Sequence, residues 1–195
     1  PASAYAGART MHFDRVVFRV VPDASSAEAG LATGAIDLLP EVEAHRAAAL
    51  KQRGVTVLSA PGLSWAVLLI QTRDPLLADI RIRRAIAHAI DLAQIADARG
   101  EGLVEAHPSP VDAGSVYFDE RFKAWPAHDP KRAQALLKEA GYKGQPIRIQ
   151  TNKRSSANYD NAVVIQAMLA AAGFTAELEV LDWATQLDNY LKGNF

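Results

Sequence analysis

The chain has 195 residues, 49% of them hydrophobic and 22% charged, which is the balance of a folded globular protein rather than a disordered or fibrous one. Lys plus Arg number 21 against 22 for Asp plus Glu, a formal charge of -1, so electrostatics supply no reason to expect nucleic acid or an acidic membrane as a partner. Cysteine is absent, which excludes disulfides, thiolate metal sites and a cysteine nucleophile.

Phe13 to Val21 is β-branched and aromatic with partial alternation and stops at Pro22-Asp23, which predicts a strand. Ser25 or Ser26 is placed to cap a short helix carrying Ala27, Leu31 and Ala32 that ends at Gly34. Ile36 to Leu39 reads as a short buried strand. Glu41 to Arg53 reads as a second helix with Val42, Ala49 and Leu50 inward and Gly54 as its stop. Val55 to Leu58 and Trp65 to Ile70 read as two further strands around the turn Ala60-Pro61-Gly62. The order β-α-β-α-β-β argues for an α/β layer.

The next stretch is a strand-link-helix joint. An apolar segment ends at the amide of Gln71, a Pro-containing link follows, and Asp79 stands where a helix cap belongs. The helix from 79 to 90 carries Arg81, Arg83 and Arg84 on one face and Ile82, Ala85, Ile86, Ala89 and Ile90 on the other. Asp79 and Arg83 are spaced for an i,i+4 ion pair, so this basic face reads as a structural one. Asp91 and Gln94 form a capping box for a helix over 91–99. Residues 100–128 read as irregular, punctuated by Gly100, Gly102, Pro108, Pro110, Gly114 and Pro126. A loop that long covers something or binds something.

The last third repeats a pattern. A helix opened by Asp129-Pro130 runs through Ala133, Leu136 and Leu137 to Ala140-Gly141-Tyr142, and strand Pro146 to Thr151 follows. A second helix, about 158–172, buries Ala162, Ile165, Leu169 and Ala172, ends at Ala172-Gly173-Phe174, and leads into strand Ala176 to Leu181. This is the pattern of a βαβ unit with parallel strands and a right-handed crossover. A final helix, Trp183 to Lys192, stops at Gly193.

Few residues suggest chemistry. The five histidines (12, 45, 88, 107 and 128) lack metal-ligand spacing, so no metal is expected. Ser155-Ser156 lacks a Gly-x-Ser-x-Gly frame, and Gly100-Glu101-Gly102 opens no phosphate-binding helix. His107 with Asp112 is the sole constellation that an enzyme could use. No catalytic residue and no cofactor are expected. Two residues are candidates for ligand contact: Gln71, whose amide could hydrogen-bond a peptide backbone or instead satisfy local main chain, and Trp65, as an apolar wall or a core residue. Uncovered Ala-rich helix faces such as 162–172 would favour a homodimer of the isolated segment.

Four blocks, taken together in order and spacing, resemble the family 5 extracellular solute-binding proteins, the dipeptide, oligopeptide and nickel receptors of bacterial ABC importers. They are Asp14–Asp23 with Gly34–Asp37, Asp74–Asp91, Asp129–Tyr142 and Ile165–Phe174. The resemblance implies an α/β chain that is an internal part of a two-lobed fold of the type II periplasmic-binding-protein kind, with mixed sheets and βαβ units. Residues 1–68 would belong to the first lobe and 69–195 to the second, with the hinge crossing near 65–72. It implies capture of a peptide or similar small solute outside the cytoplasmic membrane and delivery to the membrane subunits of an ABC permease. The location would be periplasmic or extracytoplasmic, with a lipid anchor in a Gram-positive organism. The alternative is a ligand-sensing module of the same fold attached to a transcription regulator. The chain departs from the family at Gln71, usually Asn, at His88, usually an aromatic such as Tyr, and at Pro75-Leu76, often Pro-Pro or Pro-Phe. The family's main ligand-charge residues would lie beyond Phe195.

Overall fold

Asp79 caps helix α3 (Ile80–Ala89) by accepting the Arg81 N–H at 2.8 Å, and the apolar face predicted for that helix is the centre of the main core. Ile82, Ala85, Ile86, Ala89 and Ile90 are all buried. The computed structural model describes residues 12–42, 44–59, 66–100, 106, 108–109, 111, 115–154 and 156–195. The chain divides into two compact units, one ending at Leu58 and the other beginning at Ser59.

In the first unit, helix α1 (Ala24–Ala32) is capped by Asp23, whose carboxylate accepts the Ser26 N–H at 2.7 Å. The cap is therefore Asp23 and not a serine; the carboxylate also accepts the Ser26 hydroxyl at 2.6 Å, which uses the serine as its donor. Helix α2 (Ala44–Gln52) starts three residues later than expected and buries Leu50, while Val42 is half-buried and Ala49 is exposed. Arg46 of α2 reaches Glu28 of α1 at 2.8 Å and Ser25 Oγ at 3.1 Å, which joins the two helices. The strands expected over 13–21, 36–39 and 55–58 do not form, and residues 66–70 of the second unit are also unpaired. A strand needs a neighbour to take its alternate N–H and C=O groups, and among the described residues these segments make no such pairing. Much of their apolar surface stays outside, with Phe18 93% exposed and Val20 89%, while Ile36, Leu39, Val55, Val57 and Ile70 are half-buried.

The second unit is α/β. Helix α4 (Leu92–Gly100) follows α3, and a turn of 3₁₀ helix, Glu120–Lys123, lies within the stretch expected to be irregular. Helix α5 (Pro130–Ala140) packs on α3; its cap Asp129 accepts the Arg132 N–H at 2.9 Å and Pro130 occupies the first turn, where no N–H is needed. Strand β1 (Ile147–Thr151), helix α6 (Ser156–Ala171) and strand β2 (Ala176–Val180) form the predicted βαβ unit. The strands run parallel, with Ile147 beside Ala176 and Thr151 beside Val180, and α6 lies against both. Helix α7 (Trp183–Lys192) follows, capped by Asp182. One core joins α3, α5, α6 and β1 through Ile82, Ile86, Leu136, Ile149, Leu169 and Phe174.

Two local expectations change. Arg83 does not pair with Asp79; its Nη1 donates to Leu77 O at 2.9 Å and Ala78 O at 2.8 Å, while Arg81 lays its guanidinium along the Asp79 carboxylate, Nε to Oδ1 at 3.0 Å. Two residues of separation let Arg81 approach the cap side-on, whereas Arg83 lies beside the free carbonyls of the preceding turn. The capping box at Asp91 is half made. Its carboxylate accepts the Gln94 N–H at 3.0 Å, but its own N–H points at Met168 Sδ, 3.4 Å away on α6.

Candidate functional site

In a parallel βαβ unit the carboxyl ends of the strands and the first turns of the following helices open on the same side, which is where such folds bind ligands. Here that edge consists of Gln150 to Arg154 at the end of β1 and just beyond it, the start of α6, and Asp182 and Trp183 after β2. Leu181 N–H donates to Thr151 O at 2.9 Å and carries the strand pairing to the edge. Asn152 is 5% exposed. Its Oδ1 accepts the Arg154 N–H at 2.9 Å and its Nδ2 donates to Gln186 Oε1, which fixes the turn that presents two cations. Those cations lie on aromatic faces. The Arg154 guanidinium is 5.3 Å from the Trp183 ring centroid and Lys153 Nζ is 5.2 Å from that of Tyr159. Trp183 remains 46% exposed. The Thr185 hydroxyl and N–H hold the Asp182 carboxyl below the usual carboxylate range, so it stays ionised as the cap of α7.

Behind the edge runs a network of side-chain amides. Gln150 Nε2 donates to Glu179 Oε2 at 2.9 Å and to Asn194 O at 3.1 Å. Asn189 Nδ2 donates to Gln150 Oε1 at 3.4 Å, and Gln186 Nε2 donates to the Gln150 carbonyl at 3.2 Å. Gln71 extends the network: its Nε2 donates to Gly193 O at 2.9 Å, and its Oε1 accepts the Arg73 N–H at 3.1 Å. Both ends of the Gln71 amide thus have main-chain partners in this structure. Trp65, the other residue singled out in the sequence, lies outside the described residues, as do His107, Asp112 and Ser155. His88 shares a hydrogen bond of 2.9 Å between its Nδ1 and Ala127 O. No group of three or more His, Cys, Asp or Glu side chains able to hold a metal occurs among the described residues. Sequence reasoning missed Gln150, Asn152, Arg154, Trp183 and Gln186; the available signal was the density of amides between 150 and 194.

The family model for bacterial extracellular solute-binding proteins, family 5, middle part, matches residues 2–195. The chain belongs to this family. Among family 5 relatives it is 24% identical to the oligopeptide-binding protein AppA of Bacillus subtilis (strain 168), over 91% of this chain and 35% of that protein. It is 27% identical to the dipeptide-binding protein of Escherichia coli (strain K12), over 89% of this chain and 34% of that one. It is 30% identical to heme-binding protein A of Haemophilus influenzae (strain ATCC 51907 / DSM 11121 / KW20 / Rd), over 88% and 30%. The ABC transporter-associated periplasmic binding protein DppA from Helicobacter pylori, solved with peptide STSA, superposes with a TM-score of 0.67 at 27% identity, over 88% of this chain and 33% of that chain. NikA from Brucella suis, in complex with Fe(III)-EDTA, superposes with a TM-score of 0.74 at 21% identity, over 91% and 39%, which shows the shared fold. This family 5 chain spans about a third of the length of the curated relatives it matches. Among the described residues no helix is long and apolar enough to cross a membrane.

Proposed function

We propose that this chain is part of a receptor that captures a peptide or similar small solute outside the cytoplasmic membrane and hands it to the membrane subunits of an ABC importer. The observation that carries this reading is the family match across residues 2–195, supported by relatives named for peptide and dipeptide binding. In this reading the polypeptide passes between lobes near 65–72, and solute bridging both lobes stabilises the closed population. Gln71 belongs to that crossing. Its contacts with Gly193 and Arg73 support a share in holding the crossing segment, and rotation of the side chain would free the amide for a peptide group.

The second-lobe contribution to the solute site is the edge formed by Asn152, Lys153, Arg154 and Trp183. Two cations above aromatic rings, beside a partly open indole, suit a solute that combines an apolar body with a carboxylate or carbonyl acceptor. Titration calorimetry against a library of di- to pentapeptides tests this, with the 195 residues alone and with the complete coding sequence that contains them. The complete protein should bind one peptide per chain, and the 195 residues alone should bind weakly. Failure of the complete protein to bind any peptide, or tight one-to-one binding by the 195 residues alone, would overturn it.

A further inference from the structure

Helix α7 is fastened at both ends by different parts of the second unit. At its first turn Gln186 holds the buried Asn152, and Trp183 carries the Arg154 guanidinium. Just past its last turn Gln71 donates to Gly193 O, and Gln150 donates to Asn194 O. Gly193 is at φ 74°, and a Cβ built there would come within 3.4 Å of Gln71 Nε2 and 3.6 Å of Arg73 Nη1. The residues leading into α3 therefore lie in contact with the end of α7, where the last carbonyls and the negative end of the helix dipole favour amide and guanidinium donors. Between the two ends, Asn189 and Gln186 both bond to Gln150, so the attachments form one continuous set of contacts. Ten residues of helix make a rod about 15 Å long.

We infer that α7 couples the Arg154–Trp183 edge to the segment around Gln71, with Gln71, Gln150 and Gln186 as positioning residues. The inference rests on the reading of that edge as solute-facing only for its purpose; the coupling itself is a property of the unliganded chain. An event that moves Trp183 or the 152–154 turn shifts α7 along its length, and the displacement reaches Gly193 and the amide of Gln71. The same path works in reverse, because coupling between two positions is reciprocal.

Residue-resolved amide hydrogen exchange of the 195-residue chain, without solute, tests the coupling by comparing the parent with Gln71→Met. Exchange should rise about fivefold, the equivalent of one lost hydrogen bond, at Gly193 and Asn194, and comparably at Gln186 and Leu187, while α5 keeps its parental rates. Gln186→Met should produce the reciprocal rise at Asn194. A rise confined to residues 193–194, or one of equal size throughout α5, overturns the inference. Should Gln71→Met fail to fold, Gly193→Ala strains the same attachment through the left-handed backbone at φ 74° and is held to the same pattern. Failure of this test leaves the peptide titrations untouched, and failure of the titrations leaves the exchange pattern untouched, so the two readings fall separately.

Discussion

Tyr142 and Phe174, the aromatic residues that follow the two Ala-Gly helix ends, meet ring against ring with centroids 5.7 Å apart and planes inclined at 57°. Each end closes in the same way. Tyr142 N–H returns to Leu137 O at 3.0 Å and Phe174 N–H to Leu169 O at 3.0 Å, around glycines at φ 73° and 98°. The echo in the sequence is thus a physical pair: two identical stops deliver two rings to one place, beside the starts of β1 and β2. The Tyr142 hydroxyl adds a polar join, donating to Gln145 O at 2.6 Å and accepting the Thr175 N–H at 2.9 Å.

Tyr142→Phe keeps the ring pair and removes the join, leaving Thr175 N–H and Gln145 O to solvent. It should cost about 1 kcal/mol, read as a lower urea midpoint at an unchanged slope.

Ile82→Ala empties a position that is 1% exposed at the contact of α3 with α5 and the sheet-covering helix. The expected loss is about 2–5 kcal/mol by urea unfolding, whereas Leu191→Ala, on the exposed side of α7, should stay within about 0.5 kcal/mol.

Asp79 gives a pH signature of known sign. The Arg81 side chain and N–H hold its carboxyl at about 2, against an ordinary value of 3.8. A folded value below the unfolded one means that the stabilisation is fully present above about pH 3.8 and is lost as pH falls towards 2. Asp79→Asn keeps a capping oxygen but not the charge. The stability gap between parent and variant should therefore be constant above about pH 5 and close between pH 3.8 and 2, as followed by circular dichroism during acid titration.

Arg154→Ala in the complete protein should weaken peptide binding by about tenfold with little change in thermal midpoint, because the guanidinium rests on an exposed indole and its removal leaves no buried group unpaired. Equal affinity of the variant would remove Arg154 from the solute-facing edge.

How much of this was legible in the residues differs between the two units. Helices α3, α5 and α7 were readable because their signals are local: an aspartate cap, apolar residues three and four apart, and, in α5 and α7, a glycine stop. The strands of the βαβ unit were readable because a helix of matching length separates them and their partner is in the same chain. Residues 13–21 have the composition of a strand yet stay unpaired, since composition reports preference and pairing requires a neighbour. Asp79 was recognised as a cap, but not that Arg81 would reach it in place of Arg83; side-chain reach over two residues or four depends on which other acceptors lie nearby. The candidate site was the least legible part. Gln71 and Gly193 are separated by 122 positions, and nothing in either residue type announces the other. The edge after β1 could be located only by its amide-rich, basic-aromatic composition once the strand was in place.

Apart from the Arg154 guanidinium on Trp183, the attachments of α7 are hydrogen bonds among side-chain amides and main-chain carbonyls, with the Glu179 carboxylate reached through Gln150. Dissolved ions weaken exposed charge pairs such as Lys192 with Asp188 but have little hold on uncharged dipoles in contact. The hydrogen-bonded bracing of α7 should consequently be indifferent to whether the surrounding medium is dilute or briny.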